Sequence, residues 1–103
     1  MRPDRPGRCC PHYHRAVELI GRRWSGAIVA VLLDAPGPLR FTAIADAVPD
    51  ISDRLLTQRL KELGEAGIVV RDETGYTLTR QGRDLEPAVR ALQAWARRWI
   101  APV

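Results

Sequence analysis

Near the start of the chain, the run CCPHYH sets Cys9 and Cys10 beside His12 and His14. Three chemistries are open to such a group. The first is a reactive thiol. Pro11 suits the first position of a helix, where its missing N–H is not needed, which makes Cys10 the N-cap. A helix N-terminus favours thiolate over thiol, and a protonated His14 one turn later would favour it further. Cys10 is therefore the better placed of the two cysteines for redox or electrophile sensing. The second is a metal site, with Cys9 or Cys10 joining both histidines on zinc or copper. Against it, His12 and His14 are two apart and point to different sides of a helix, and no further Cys or His group follows downstream. The third is an inert thiol that only marks a helix start. Pairing adjacent cysteines would strain a disulfide, so a bridge stapling the fold is not expected, and no metal or other cofactor is assigned.

A second chemical group lies between Ser52 and Gly67. Leu55, Leu56, Leu60 and Leu63 recur there at helical spacing, leaving Asp53, Arg54, Thr57, Gln58 and Lys61 on the opposite face. Those side chains suit DNA: Arg grips guanine O6 and N7, Gln pairs with adenine, and the Thr methyl meets thymine. A recognition helix puts its N-terminal part nearest the bases, which assigns Arg54, Thr57 and Gln58 to base edges and Lys61 to phosphate. Ser52 is the expected N-cap and an additional phosphate donor. Arg40 and Arg71 are expected to touch the DNA backbone. Arg59, on the flank between Leu55 and Leu60, fits an internal ion pair instead. The plain alternative is a solvated polar face.

The elements that must hold these groups follow from pattern. A short helix runs from Pro11 to Gly21, with Val17 and Ile20 as its apolar stripe. Ser25 to Leu33 is apolar nearly all round and reads as the central core helix, broken by the DAPGP run at Asp34 to Pro38, with Trp24 packing at its start. Leu39 to Phe41 allows a small strand, and Thr42 is the expected cap of a brief helix stopping at Pro49. A PDI turn then leads into the helix capped by Ser52 and ended by Gly67. Two short helices joined in this way form a helix-turn-helix. In IVVRDETGYTLT, β-branched residues flank a turn that Gly75 permits, predicting a two-stranded wing. Thr79 starts the last helix, in which Leu85, Ala88, Leu92, Trp95 and Trp99 alternate at spacings of three and four, and Pro87 kinks or restarts it. Leu85, Leu92 and Trp99 fall on a seven-residue seam. With Val17, Ile20, Val89 and Trp95 they are assigned to a dimer interface; the alternative is that they close the chain's own core.

The fold class read from this order is mainly α with a small β-hairpin, a winged helix-turn-helix. A length of 103 residues suits one domain. It is expected over residues 9–103, behind a flexible basic arm over residues 1–8 whose two prolines and glycine do not make a signal peptide. No apolar run approaches the roughly 20 residues needed to span a bilayer, so no membrane partner and a cytoplasmic, nucleoid-associated location are expected. Sixteen Lys and Arg against twelve Asp and Glu give a formal charge of +4, a balance that favours a polyanionic partner. Paired carboxylates, a nucleophile with its base and a phosphate-binding glycine loop are all missing, which argues against an enzyme.

The segments LIGRRW, LRFTAIADAVPDIS, LLTQRLKELGEAGIVVR, YTLTRQG and LQAW, following the CP of Cys10 and Pro11, together resemble the HxlR-type bacterial regulators related to the MarR group. The resemblance runs from Cys10 to Trp95, and LTQRLKEL followed by GIVVR is its most specific part. It implies a homodimeric transcription regulator, more a repressor than an activator, on double-stranded operator DNA. It also implies that the cysteine before the proline senses oxidants or electrophiles, with a small-molecule inducer as the other signal. The wing here is shorter than the family's and acidic at Asp72 and Glu73, which argues against deep insertion into the minor groove. The reading from another class is a winged-helix module that docks a protein partner through the C-terminal seam.

Overall fold

The computed structural model describes residues 10–102, so the expected arm over residues 1–8 and Cys9 lie outside the described residues. Cys10 is the N-cap of α1 (Pro11–Ile20), with the proline in its first turn. The helix stops at Gly21, whose N–H donates to the Val17 carbonyl at 2.7 Å. None of α1 is fully buried, although Leu19 and Ile20 lean on the core.

Trp24 was expected to pack at the start of the core helix, yet it is only half-buried. It N-caps α2 (Ser25–Asp34) at φ 78°, a left-handed conformation costly for a bulky residue. Its ring is covered from outside by the Arg23 guanidinium, 5.0 Å from the ring centroid. α2 itself is the core helix expected, with Ile28, Val29 and Leu32 buried.

The strand and cap before the helix-turn-helix also differ from expectation. Only Leu39 pairs as a strand would, exchanging hydrogen bonds with Tyr76 at 2.9 and 2.7 Å. Phe41 already opens α3 (Phe41–Ala47), and the N-cap is Arg40 rather than Thr42. Phe41 packs on the core, and that contact draws the first turn two residues earlier than the polar cap suggested. After a turn through Asp50 at φ 73°, Ser52 Oγ accepts from the Leu55 N–H at 3.1 Å and starts α4 (Asp53–Glu65).

The end of α4 shows why Gly67 is there. The Gly67 N–H returns to the Gly64 carbonyl and the Ile68 N–H to the Leu63 carbonyl, closing a Schellman turn that needs the positive φ of 81° at Gly67. Buried Leu63 and Ile68 provide its apolar side. The chain reverses into β1 (Val69–Asp72) and β2 (Gly75–Leu78), antiparallel with Val69 opposite Leu78 and Asp72 opposite Gly75. Only Glu73 and Thr74 remain in the turn. Gly75 sits at φ 136°, and a Cβ there would lie 2.5 Å from the Leu39 carbonyl oxygen, so the bridge to Leu39 requires glycine.

Thr79 then caps not one long helix but a single turn, α5 (Arg80–Arg83), before α6 (Glu86–Trp99) restarts with Pro87 in its first turn. The core unites Ile28, Val29 and Leu32 of α2, Ile44 of α3, Leu56, Leu60 and Leu63 of α4, and Ile68, Val69 and Leu78 of the wing. Each such side chain contributes on the order of 1.5–3 kcal/mol on burial, enough to fix α3 against α4 and the sheet behind them. α6 joins through half-buried Leu85 and Val89 and through Arg90, which donates to Asp34 at 2.7 Å.

Candidate nucleic-acid interface

With Leu56, Leu60 and Leu63 sealed inward, α4 turns Asp53, Arg54, Thr57, Gln58 and Lys61 to solvent. Arg54 and Lys61 are exposed on this face. The Thr57 hydroxyl donates to the Asp53 carbonyl at 2.8 Å, so toward DNA it offers oxygen lone pairs and a methyl group rather than a proton. The Gln58 amide donates one hydrogen to Glu62 Oε2 at 2.9 Å. Ser52 is exposed at the helix start, its oxygen engaged in the cap.

Arg40 and Arg71 come from different parts of the sequence, and the Leu39–Tyr76 bridge brings them together. They line one shallow concavity with Phe41, Thr42, Gly75 and Tyr76. Arg71 lies over the Tyr76 ring, 5.5 Å from its centroid, which limits its side-chain freedom and fits it for phosphate at the wing's base. At the wing tip, the Thr74 hydroxyl and N–H both donate to Asp72 Oδ1. These bonds, with Arg40 nearby, hold the Asp72 carboxyl below the ordinary carboxylate range. The acidic tip is thus locked into its own turn.

Glu62, which sequence reasoning did not single out, organises the flank of this face. It accepts from Gln58, from Arg59 Nη1 at 3.1 Å and from Arg22 Nη1 at 3.2 Å. The Gln58 hydrogen bond foremost, then the charges of Arg22 and Arg59, keep its carboxyl below its usual value. Arg59 has the internal ion pair expected of it and also donates to the Arg23 carbonyl at 2.9 Å. The i,i+3 and i,i+4 spacings of Arg59 and Gln58 to Glu62 were visible in the sequence; Arg22, forty residues away, was not.

The other expected sites lie on α1 and α6. Cys10 is half-buried at the N-cap of α1 without a side-chain capping bond. The His14 ring, which the sequence reading gave to the Cys10 sulfur, is turned toward Glu18, with Nε2 3.7 Å from Oε1. Both residues are four positions from His14, so the spacing did not choose between them. Among the described residues no three Cys, His, Asp or Glu side chains gather as metal ligands. Val17, Leu92, Trp95 and Trp99 are exposed, whereas Ile20, Leu85 and Val89 pack partly on the core.

The pattern of the HxlR-like helix-turn-helix family matches residues 19–103. The regulator YodB of Bacillus subtilis is 42% identical over 100 residues, which cover 90% of this chain and 88% of YodB. The crystal structure of quinone-bound YodB superposes with a TM-score of 0.79, covering 88% of this chain and all of that one. The redox regulator HypR in its oxidised form, 32% identical, matches with a TM-score of 0.79 over 90% of this chain and all of HypR. With a helix-turn-helix, a paired-strand wing and an exposed polar face on α4 already in place, this likeness settles the class of the molecule: the chain belongs to the HxlR-like helix-turn-helix family of DNA-binding transcriptional regulators, which are not enzymes.

Proposed function

We propose that this regulator works as a homodimer, more a repressor than an activator, whose hold on operator DNA changes when Cys10 is modified by an oxidant or electrophile. The observation that carries the reading is the exposed face of α4, where Arg54, Thr57 and Gln58 precede Lys61 on a helix whose other side is sealed. Arg54, Thr57 and Gln58 read bases; Ser52, Lys61, Arg40 and Arg71 hold phosphates. Residues 9–103 act as one domain in the cytoplasm, on the nucleoid, with residues 1–8 as a basic arm.

The dimer forms through the apolar face of α6 with Val17 and Ile20 of α1. Support comes from Leu92, Trp95 and Trp99, which expose 64%, 53% and 65% of their surface, an amount of apolar area that a lone chain rarely leaves open. A two-fold pair would set its recognition helices one DNA turn apart, about 34–36 Å. Cys10 lies at the start of α1, so a change at its sulfur acts on this interface. A quinone would add to the thiolate, the ring taking up the proton; with diamide, two thiols would give up two electrons and two protons as they join. The relatives solved with quinone bound and in an oxidised form support this signal. A small-molecule inducer at the dimer is the second signal.

The test is fluorescence anisotropy on DNA from the gene's own upstream region, with reduced, diamide-treated and Cys10→Ser protein across a salt series. Salt-sensitive binding by reduced protein, lost on oxidation and retained by Cys10→Ser, is the expected result. Binding indifferent to oxidant would remove Cys10 from the mechanism. No sequence-selective binding would leave the α6 face as a docking surface for another protein.

A further inference from the structure

Glu62 joins two parts of the molecule that are distant in sequence. On one side, its carboxylate accepts from the Gln58 amide at 2.9 Å. On the other, it accepts from Arg22, in the link between α1 and α2, at 3.2 Å. Arg59 doubles the tie, donating to Glu62 and, through Nε, to the Arg23 carbonyl. The link held in this way contains Trp24 at φ 78°, a conformation that persists only where surrounding contacts enforce it.

The bond to Glu62 also decides how Gln58 faces outward. An amide nitrogen turned to Glu62 fixes the amide plane, leaving Oε1 and one remaining hydrogen for a base. Adenine requires an acceptor for its N6 amino group beside a donor for N7, and a freely rotating amide offers that pair only part of the time.

We infer that Glu62 is a positioning residue for DNA specificity, orienting Gln58 for base reading and tying that orientation to the α1–α2 link through Arg22 and Arg59. The inference rests on the base-reading role proposed for Gln58. It also gives α1, the helix that begins at Cys10, a direct path to the reading face, since Arg22 lies two residues beyond its end.

The probe is a set of duplexes enriched from a randomised pool by the wild-type protein, each then varied one base pair at a time. Gln58→Ala is expected to flatten the preference at one base pair by about tenfold. Glu62→Ala flattens the same position and adds nothing to Gln58→Ala, while Glu62→Gln, which keeps an oxygen for the amide, retains the preference. Full discrimination by Glu62→Ala beside a flattened Gln58→Ala overturns the inference and leaves Gln58 as a reader. A second readout needs no DNA: in nitrogen-edited NMR spectra, the Gln58 side-chain amide is expected to shift together with Arg59 Nε as pH falls below the ordinary carboxylate range. Glu62→Gln should abolish that joint shift, and Arg22→Ala should move the amide without touching α4. An amide indifferent to Glu62 overturns the inference whatever the DNA result. A coupled amide in a protein that enriches no duplex would instead count against the proposed function.

Discussion

The two longest helices carry similar patterns and meet opposite fates. In α4, Leu56, Leu60 and Leu63 are buried, and the polar face left outside is the one suited to DNA. In α6, no residue is buried, and Leu92, Trp95 and Trp99 stand in solvent. An apolar stripe therefore says that a surface will be covered, not by which chain. α4 is covered by α2, α3 and the wing, whereas the outer face of α6 is exposed in the single chain.

The largest expected effects test that difference directly. Leu63→Ala opens a cavity in the core and should cost about 2–5 kcal/mol of unfolding free energy at any protein concentration, read by denaturant titration. Leu92→Ala with Trp99→Ala should leave the monomer's own stability nearly untouched but move sedimentation toward monomer, with unfolding that no longer depends on concentration. A double variant that remains a stable dimer would place the interface elsewhere.

Caps give a smaller contrast. Ser52 bonds the Leu55 N–H, whereas Leu85 starts α6 without a side-chain bond. Ser52→Ala should cost about 1 kcal/mol, and Leu85→Ser should recover none of its lost packing through a cap. In DNA binding, Lys61→Ala should lower the slope of log affinity against log salt by about one, while Arg97→Ala on α6 leaves it unchanged. Equal slopes for wild type and Lys61→Ala would reject the phosphate contact.

The smallest effect is one of pH. Glu62 is held below its ordinary value of 4.5, first by the Gln58 amide and then by Arg22 and Arg59. Its contribution is present above that ordinary value and disappears as pH falls through the lower, folded one. Acid should thus loosen the tie between α4 and the α1–α2 link, and Glu62→Gln should flatten this part of the stability profile. The side chain is half-buried and the link is also held by the bond from Arg59 to the Arg23 carbonyl, so the change is expected to be slight.

Much of α4 was readable because its information is local: Ser52 caps, the leucines fall at helical spacing, and Gly67 supplies the left-handed turn. Pro87 likewise marked the restart of the last helix. What stayed hidden depended on contacts that spacing alone does not choose, some of them with partners far along the chain. Phe41 entered α3 because the core drew it in, Trp24 took a left-handed cap under Arg23, and His14 turned to Glu18 rather than to Cys10. Glu62 was anonymous in sequence for the same reason, since its importance lies in Arg22 and in the link that Arg59 holds.

From the sequence alone came the helix-turn-helix, the wing, the family resemblance and the polar face of α4, all encoded by neighbours within a few residues. Only the tertiary structure decided which stripe was sealed, brought Arg40 beside Arg71 through the Leu39–Tyr76 bridge, and joined Gln58 to Arg22 through one carboxylate. Spacing fixes which side chains share a helix face. Which distant groups meet that face is set by how the burial of Ile28, Leu56 and their neighbours folds the chain upon itself.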